Sequence, residues 1–478
     1  MTISGALSNA LSGLNASSRI ADIISTNLAN VLTEGYAPRE ISLQSQRDGR
    51  GVAVAGVIRH VDTALLGDRR LADSARAGAE THVTFAASLE RAIGAVDDVG
   101  SLSARLTDFE ASLITAAARP EEPSRLQAVV DAATGLTGRI NEIAGDIETL
   151  RSQADAAIAR TVGDLDAGLQ QVVTLNSRIT AAGASGRGTE ALQDERQRVV
   201  DRLAEIVPLR QLPRAHGAVA LMTTGGAVLL DGRAVAVDFD AVPVVAAHMT
   251  QDNGLLSGLS VAGQPVSSDA AGPLGGGRLS ALFDNRDRAG PEALAALDDI
   301  ARVIVERVAQ PGLDPTLGPG EPGLFTDAGA AFDPAQTVGL SGRIAVNAAV
   351  DSGAGGALSR LRDGLGAVSP GPPGQAGLLQ RLSTALETPT GTASDPIART
   401  IAGHVAAFAG QVAQARLAAE ETASFATGQA SELRALELES GVDSDAELQR
   451  LLLVEQSFAA NARMIQTVDD MMQTLLRI

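Results

Sequence analysis

The feature that most restricts this chain is an apolar rhythm shared by its two ends. Ile3, Leu7, Ala10, Leu14, Ser17, Ala21, Ile24, Leu28 and Val31 follow alternating steps of four and three, with Ser17 as their only polar member. Leu451, Val454, Phe458, Asn461, Ile465, Val468, Met472 and Leu475 keep the same spacing, again with one polar member, Asn461. Apolar residues that recur every 3.5 positions on average mark the seam of helices that wrap around one another. An isolated helix of this length is marginal in water, and its stability comes from packing its apolar face. Two such seams in one chain predict that the ends return to one place and pair as a coiled coil. The alternative is that each helix packs separately on the body. Asn27, Asn30, Gly35 and Pro38 punctuate the end of the first helix. Asp443 or Ser444 caps the second, and Glu447, three residues after Ser444, suggests a capping box.

Between the seams the pattern is mostly helical. Leu126, Val129, Ala133, Leu136, Ile140, Ile143, Ile147 and Leu150 continue a heptad. A shift near Ala154 and Ile158, resembling a stutter, leads into Val162, Leu165, Leu169, Val172 and Ile179. Unbroken, 124–181 would make a rod of roughly 85–90 Å. Gly135, Gly138, Gly145, Gly163 and Gly168 each disfavour helix by ~1 kcal/mol and could interrupt it. A shorter helix is expected at Ala191–Ile206. Val219–Met222, Ala227–Leu230 and Ala234–Phe239 are β-type runs separated by Thr-Gly-Gly and Asp231-Gly232, which are hairpin signals. Helix returns at Leu279–Val308, with Pro291 as a break, and again at about Pro396–Ser440. Residues 311–335 and 366–376 read as loops.

The chain therefore reads as a mainly α, elongated multidomain protein. Residues 1–45 with 440–478 form a terminal coiled-coil domain, and 46–211 with 276–439 a long-helix bundle body. Residues 212–275 form a small inserted β domain, expected to face outward and to tolerate replacement by a linker. A length of 478 residues agrees with several domains.

Composition narrows the function. Aromatic residues are only 2% of the chain, so Ala, Leu, Val and Gly supply its apolar mass. Small residues suit close helix packing better than an aromatic-lined pocket, so a small-molecule enzyme fits poorly. The formal charge is −19 and every basic side chain is Arg, a balance that repels phosphate and argues against nucleic-acid binding. With no Cys there is no disulfide and no thiolate metal site. No charged side chain precedes Arg19, so the basic n-region of a signal peptide is missing, and the exported protein is expected to keep its start at or next to Met1. No stretch approaches the ~18 apolar residues of a membrane span.

Chemistry-bearing clusters do not stand out. His60, His82, His216, His248 and His404 are scattered along the chain. Gly272–Gly277 lacks the flanking strand, helix and acidic residue of a dinucleotide site. Asp97-Asp98, Glu121-Glu122 and Asp469-Asp470 are acidic pairs without a pocket-forming context. No catalytic, cofactor or metal residue is assigned. The candidate site is the assembly seam itself: Ile3, Leu7, Leu14, Ile24, Leu28, Val31, Leu451, Val454, Phe458, Asn461, Ile465, Val468, Met472 and Leu475.

Leu7-Ser8-Asn9-Ala10-Leu11-Ser12-Gly13-Leu14, Ser25-Thr26-Asn27-Leu28-Ala29-Asn30-Val31 and Gly35-Tyr36 resemble the signature of bacterial flagellar axial proteins, the rod, hook and hook-associated subunits. Leu32, Glu34 and Ala37 stand where the usual motif has Asn, Pro and Ser. Ser440-Gly441-Val442-Asp443, Glu447-Leu448, Glu455 through Ile465 and Met471 through Leu476 resemble the C-terminal motif of the same family. Rod and hook proteins have largely β middles, and this middle is helical. Gln193 through Asp201, Gly276 through Asp287 and Arg343 through Asn347 are similar to internal segments of the hook-associated members. The resemblance implies a structural subunit without a cofactor, exported by the flagellar type III apparatus with an export chaperone. It further implies self-association into a ring between hook protein and hook-associated protein 3, at the hook–filament junction. Other axial proteins (hook-associated protein 3, a rod or a hook subunit), a non-flagellar coiled-coil scaffold and a hydrolase remain alternatives from sequence. In the free monomer, 1–40 and 440–478 are expected to be mobile or loosely paired, becoming ordered when neighbours enclose them.

Overall fold

A computed structural model describes residues 3–33, 35–46, 51–94 and 98–477. Helix α1 (Ile3–Ala29) leads into an antiparallel hairpin of β1 (Arg39–Ser45) and β2 (Val52–Arg59). Helices α2 (Thr63–Ile93), α3 (Leu102–Ala118), α4 (Pro123–Ala184) and α5 (Glu190–Ile206) follow. A β segment comes next, in two antiparallel sheets. The first holds β3 (Leu209–Pro213), β4 (Val219–Thr223), β5 (Val228–Asp231) and β6 (Arg233–Ala234) in sequential order. The second holds β7 (Val237–Asp238), β8 (Leu259–Val261) and β9 (Gln264–Val266). After α6 (Gly277–Asp284) and α7 (Gly290–Val308), β10 (Phe325–Asp327) pairs with β11 (Ile344–Val346). The short α8 (Arg360–Asp363) and α9 (Gly377–Glu387) precede the long closing helices α10 (Ile401–Glu439) and α11 (Ser444–Leu476). The protein is mainly α, as its patterning predicts.

The 62-residue α4 organises the body. At 1.5 Å per residue it is about 90 Å long. Gly135, Gly138, Gly145, Gly163 and Gly168 do not interrupt it, because burial along both halves outweighs their weak helix propensity. Val129, Ala133, Ile140, Ile143 and Ile147 of its first half are fully buried in a core shared with α3, α7, α9 and the start of α10. Ile158, Leu165, Leu169 and Val172 of its second half are fully buried in a different core. There they meet α5, α6 and the β segment through Leu203, Leu209, Leu221, Leu230 and Leu259.

Between these cores the heptad shift has a physical content: two of its buried positions, Arg151 and Asp155, are charged. Arg151 is wholly enclosed and donates Nε to the Arg286 carbonyl at 2.9 Å, Nη1 to that of Ala246 at 3.0 Å and Nη2 to that of Met249 at 2.8 Å. Asp155, equally buried, accepts from Arg286 Nη1 at 2.5 Å and from the Val242 N–H at 2.7 Å. Arg286 in turn lies over the rings of Phe283 and Phe239, at 4.9 and 5.5 Å from their centroids. A buried charge of this kind is tolerated only when paired and hydrogen-bonded.

Three expectations change. The segment 212–275 is not an outward decoration, since its strands supply one wall of the second core. Pro291 does not break its helix. A turn of π-helix over Asn285–Ala289 joins α6 to α7, and Pro291 falls in the first turn of α7, where a missing N–H is tolerated. The hairpin over 39–59 has no counterpart in the periodicity reading, and the expected boundary at residue 45 falls between its strands. The glycine run before α6 serves close packing: a Cβ on Gly277, at φ +68°, would lie 2.5 Å from the Ile206 carbonyl oxygen.

Candidate assembly interface

The two seam helices meet each other. Asn27 of α1 donates Nδ2 to Glu447 Oε1 of α11 at 3.1 Å. At Gly13, fourteen residues earlier, a Cβ would come 2.7 Å from Asn461 Nδ2, fourteen residues later. The helices therefore run antiparallel in one register, and Gly13 makes room for the Asn461 amide. Of the seam residues, Ile24 and Val468 are buried, each 2% exposed. Ile3, Leu7, Leu14, Leu28, Val31, Leu451, Val454, Asn461 and Ile465 are half-buried, whereas Phe458, Met472 and Leu475 face solvent. The pairing thus covers the central stripe and leaves much apolar surface open. Leu453 is 62% exposed and Leu475 60%, and Leu448, Leu452, Met464 and Leu476 are exposed beside them.

Asn27, read from sequence as a helix-end marker, is a fully buried knot. Its Nδ2 also donates to the Arg39 carbonyl at 2.9 Å, while its Oδ1 accepts from the Tyr36 hydroxyl at 2.6 Å and the Arg39 N–H at 3.1 Å. One amide thereby ties α1, the start of β1 and α11 together. Burial raises the Tyr36 phenol above its ordinary range, against the opposing pull of the Arg39 cation. The cap of α11 differs from the expected box. Asp443 accepts from the Asp445 and Ala446 N–H groups at 3.0 Å, and Glu447 is turned inward to Asn27. Its carboxylate there accepts a buried side-chain N–H in place of the expected backbone one.

The hairpin fastens this unit to α5. Arg39 and Arg59 face each other in register, and both reach Asp194, at 2.5 Å from Oδ2 and 2.7 Å from Oδ1. Arg59 also donates to Gln197. Spacings of three and four place Asp194, Gln197 and Asp201 on one face of α5. Asp201 takes Arg69 at 2.8 Å and Arg70 at 2.7 Å from α2. Glu437, near the end of α10, lies 2.6 Å from Arg69 Nε, and burial holds its carboxyl above the usual range despite that cation. Arg196 turns the opposite way, to Asn176 Oδ1 at 2.8 Å and the Gly217 carbonyl at 2.7 Å. Burial first, then the Arg59 and Arg70 cations, lower its pKa to about 10.

The histidines have local partners: His60 lies 3.1 Å from Glu40, His82 2.9 Å from Asn285 Oδ1, and His404 2.7 Å from the Thr390 carbonyl. Exposed His216 adopts a left-handed backbone. No group of three His, Asp or Glu side chains is placed to hold a metal among the described residues. No described helix is long and apolar enough to cross a membrane. Asp97, Glu34 and Met1 lie outside the described residues.

Residues 86–314, from late α2 past α7, match the family described as the flagellar hook-associated protein FlgK helical domain. Residues 437–478, essentially α11, match the flagellar basal body rod FlgEFG protein C-terminal family. Flagellar hook-associated protein 1 of Salmonella typhimurium is 28% identical over 50% of this chain. The protein of that name from Bacillus subtilis is 23% identical over 98% of it. These comparisons agree, and the chain is similar to flagellar hook-associated protein 1. Both matched family models describe proteins of the bacterial flagellum. The match spans 45% of the Salmonella protein and 97% of the Bacillus one. The flagellar hook junction protein FlgK of Burkholderia pseudomallei is a solved structure matched with a TM-score of 0.45 and 22% identity, over 54% of this chain and 46% of that one. Two of the internal segments singled out from sequence have structural roles. Gln193 through Asp201 carries the polar face of α5 together with the core residues Val199 and Val200, and Gly276 through Asp287 is the close approach and π-helical turn around Arg286.

Proposed function

We propose that this chain is the adaptor subunit joining hook to filament, polymerising through its terminal helices into a ring after type III export. Its neighbours are hook protein on one side and hook-associated protein 3 on the other, and an export chaperone covers the apolar ends before assembly. The role is mechanical, with no turnover and no cofactor. Residues 1–45 with 440–478, completed by the second hairpin strand to Arg59, act as the assembly domain, carried by a helical body into which 212–275 is woven.

The observation that carries this reading is the apolar surface the α1–α11 pair leaves open. Monomers seldom keep large apolar patches uncovered unless a partner is to cover them, and α11 exposes large apolar residues from Leu448 to Leu476. Contacts of a subunit with unlike faces of its neighbours extend a helical lattice. The test is Leu453→Asp together with Leu475→Asp in the full chain. Both side chains are solvent-exposed in the single chain, so thermal unfolding and export should match the parent. Incorporation into hook–filament structures should be lost, because a charge would be buried without a partner. Normal incorporation of the double variant would sink the proposal.

A further inference from the structure

The joint between the terminal unit and the body carries a cluster of buried polar contacts. The seam is held by side-chain packing and each body core by large apolar residues, but the hairpin meets α5 through Arg39, Arg59, Asp194 and Gln197. The Arg39 guanidinium also lies 4.9 Å from the Tyr36 ring centroid. Gly35, at φ +75°, lets the chain pass over Arg198, whose Cγ would be 2.8 Å from an added Cβ. Gln197 continues the contact to Glu437 Oε1 at 3.5 Å, where α10 turns toward α11. Both arginine side chains and Asp194 are nearly enclosed, at 15%, 12% and 10% exposure, so this is no loose surface pairing.

We propose that Asp194 is the positioning residue that sets the angle at which the terminal helix pair leaves the body. Two guanidinium groups converge on one carboxylate through different oxygens, and that geometry fixes direction in a way an apolar contact of the same area does not. Asp194 belongs to neither seam helix, so it acts on assembly by aiming them. Asn27 and Glu447 hold the pair together; Asp194 points it.

The experiment uses the absence of cysteine from the chain. Spin labels are placed at Arg19→Cys on α1 and Asp146→Cys on α4, both exposed positions, in the full-length monomer. A second pair, Arg19→Cys with Thr467→Cys on α11, reports whether the terminal unit itself stays together. In the parent, the Asn27–Glu447 and Asp194 contacts should give both pairs a single narrow distance, in place of the loose pairing expected from periodicity alone. Asp194→Ala should abolish the narrow peak for the α1–α4 pair and leave the α1–α11 pair narrow. Asp194→Glu, which keeps the carboxylate, should restore it. The Arg39→Gln, Arg59→Gln double variant lies outside both body cores and should reproduce the loss, so a folding defect of Asp194→Ala would not leave the matter open. An unchanged α1–α4 distance in either variant overturns the proposal. Broadening of both pairs also overturns it, since the unit would then have come apart. The measurement is made on the free chain, so its outcome is separate from whether the terminal helices polymerise.

Discussion

At the scale of single residues, the joint depends on side chains whose roles come from partners far away in sequence. Asn27 is a common turn residue, and from its neighbours it reads as punctuation; its bond to Glu447 crosses 420 positions. The same distance hides Glu447, which sits where a capping box would use it and instead faces inward. Tyr36 offers a direct probe, because it is the one tyrosine in a chain without tryptophan. Burial makes its folded phenol keep the proton to higher pH than the unfolded chain does. The folded state then binds more protons above the ordinary range, so the stability linked to Tyr36 is intact below about pH 10 and is lost as pH rises through the raised folded value. Phenolate absorbance should rise later in the native chain than in denaturant. Equal midpoints would mean that the Asn27 knot is open in solution.

At the scale of elements, periodicity revealed the helices whose apolar stripes are regular: α1, α4, α5 and α11. It also located the heptad shift in α4, although only apolar spacing was counted and the charged layer behind it stayed hidden. Arg151 and Asp155 occupy seam positions, and a reading that scores hydrophobic residues sees a gap there. The π-helical turn before Pro291 was hidden for a related reason, since proline normally signals a stop and only the packing of Arg286 shows that the axis continues. The layer makes a clear prediction. Arg151→Ala removes a donor from three carbonyls, of which Ala246 keeps the Met249 N–H at 3.1 Å, at a cost of about 1–3 kcal/mol for each group left unpaired. Arg151→Lys should rescue little, since an ammonium does not reproduce the planar fork. Thermal melts of both variants would check this, and a midpoint near the parent for Arg151→Ala would show that water replaces the guanidinium.

At the scale of the whole molecule, the nested order of the chain was legible because its two ends carry matching stripes. The sharing of a core between β3–β9 and the second half of α4 was not, because short strands between turn signals look the same whether they stand alone or lean on a helix. Leu209, Leu221, Leu229, Leu230 and Leu259 are all buried there. Replacing 212–275 with a Gly/Ser linker should therefore unfold the second half of α4 with α5, exposing Leu165, Leu169 and Val172. Each lost large apolar contact is worth about 1.5–3 kcal/mol, so loss of amide protection over 158–206 is the expected result. Retained protection would restore the reading of this segment as a separate decoration.

The continuity of α4 has a consequence for load. A helix gripped along both halves behaves as a beam, so a bending moment applied at the ends of the molecule is spread along it. The compliant place lies elsewhere, where only two thin strands of backbone, residues 60–62 and 440–443, cross from the body to the terminal unit beside one cluster of ion pairs. Under torque, this chain should yield at that crossing first, flexing as a universal joint does while the shaft behind it stays straight.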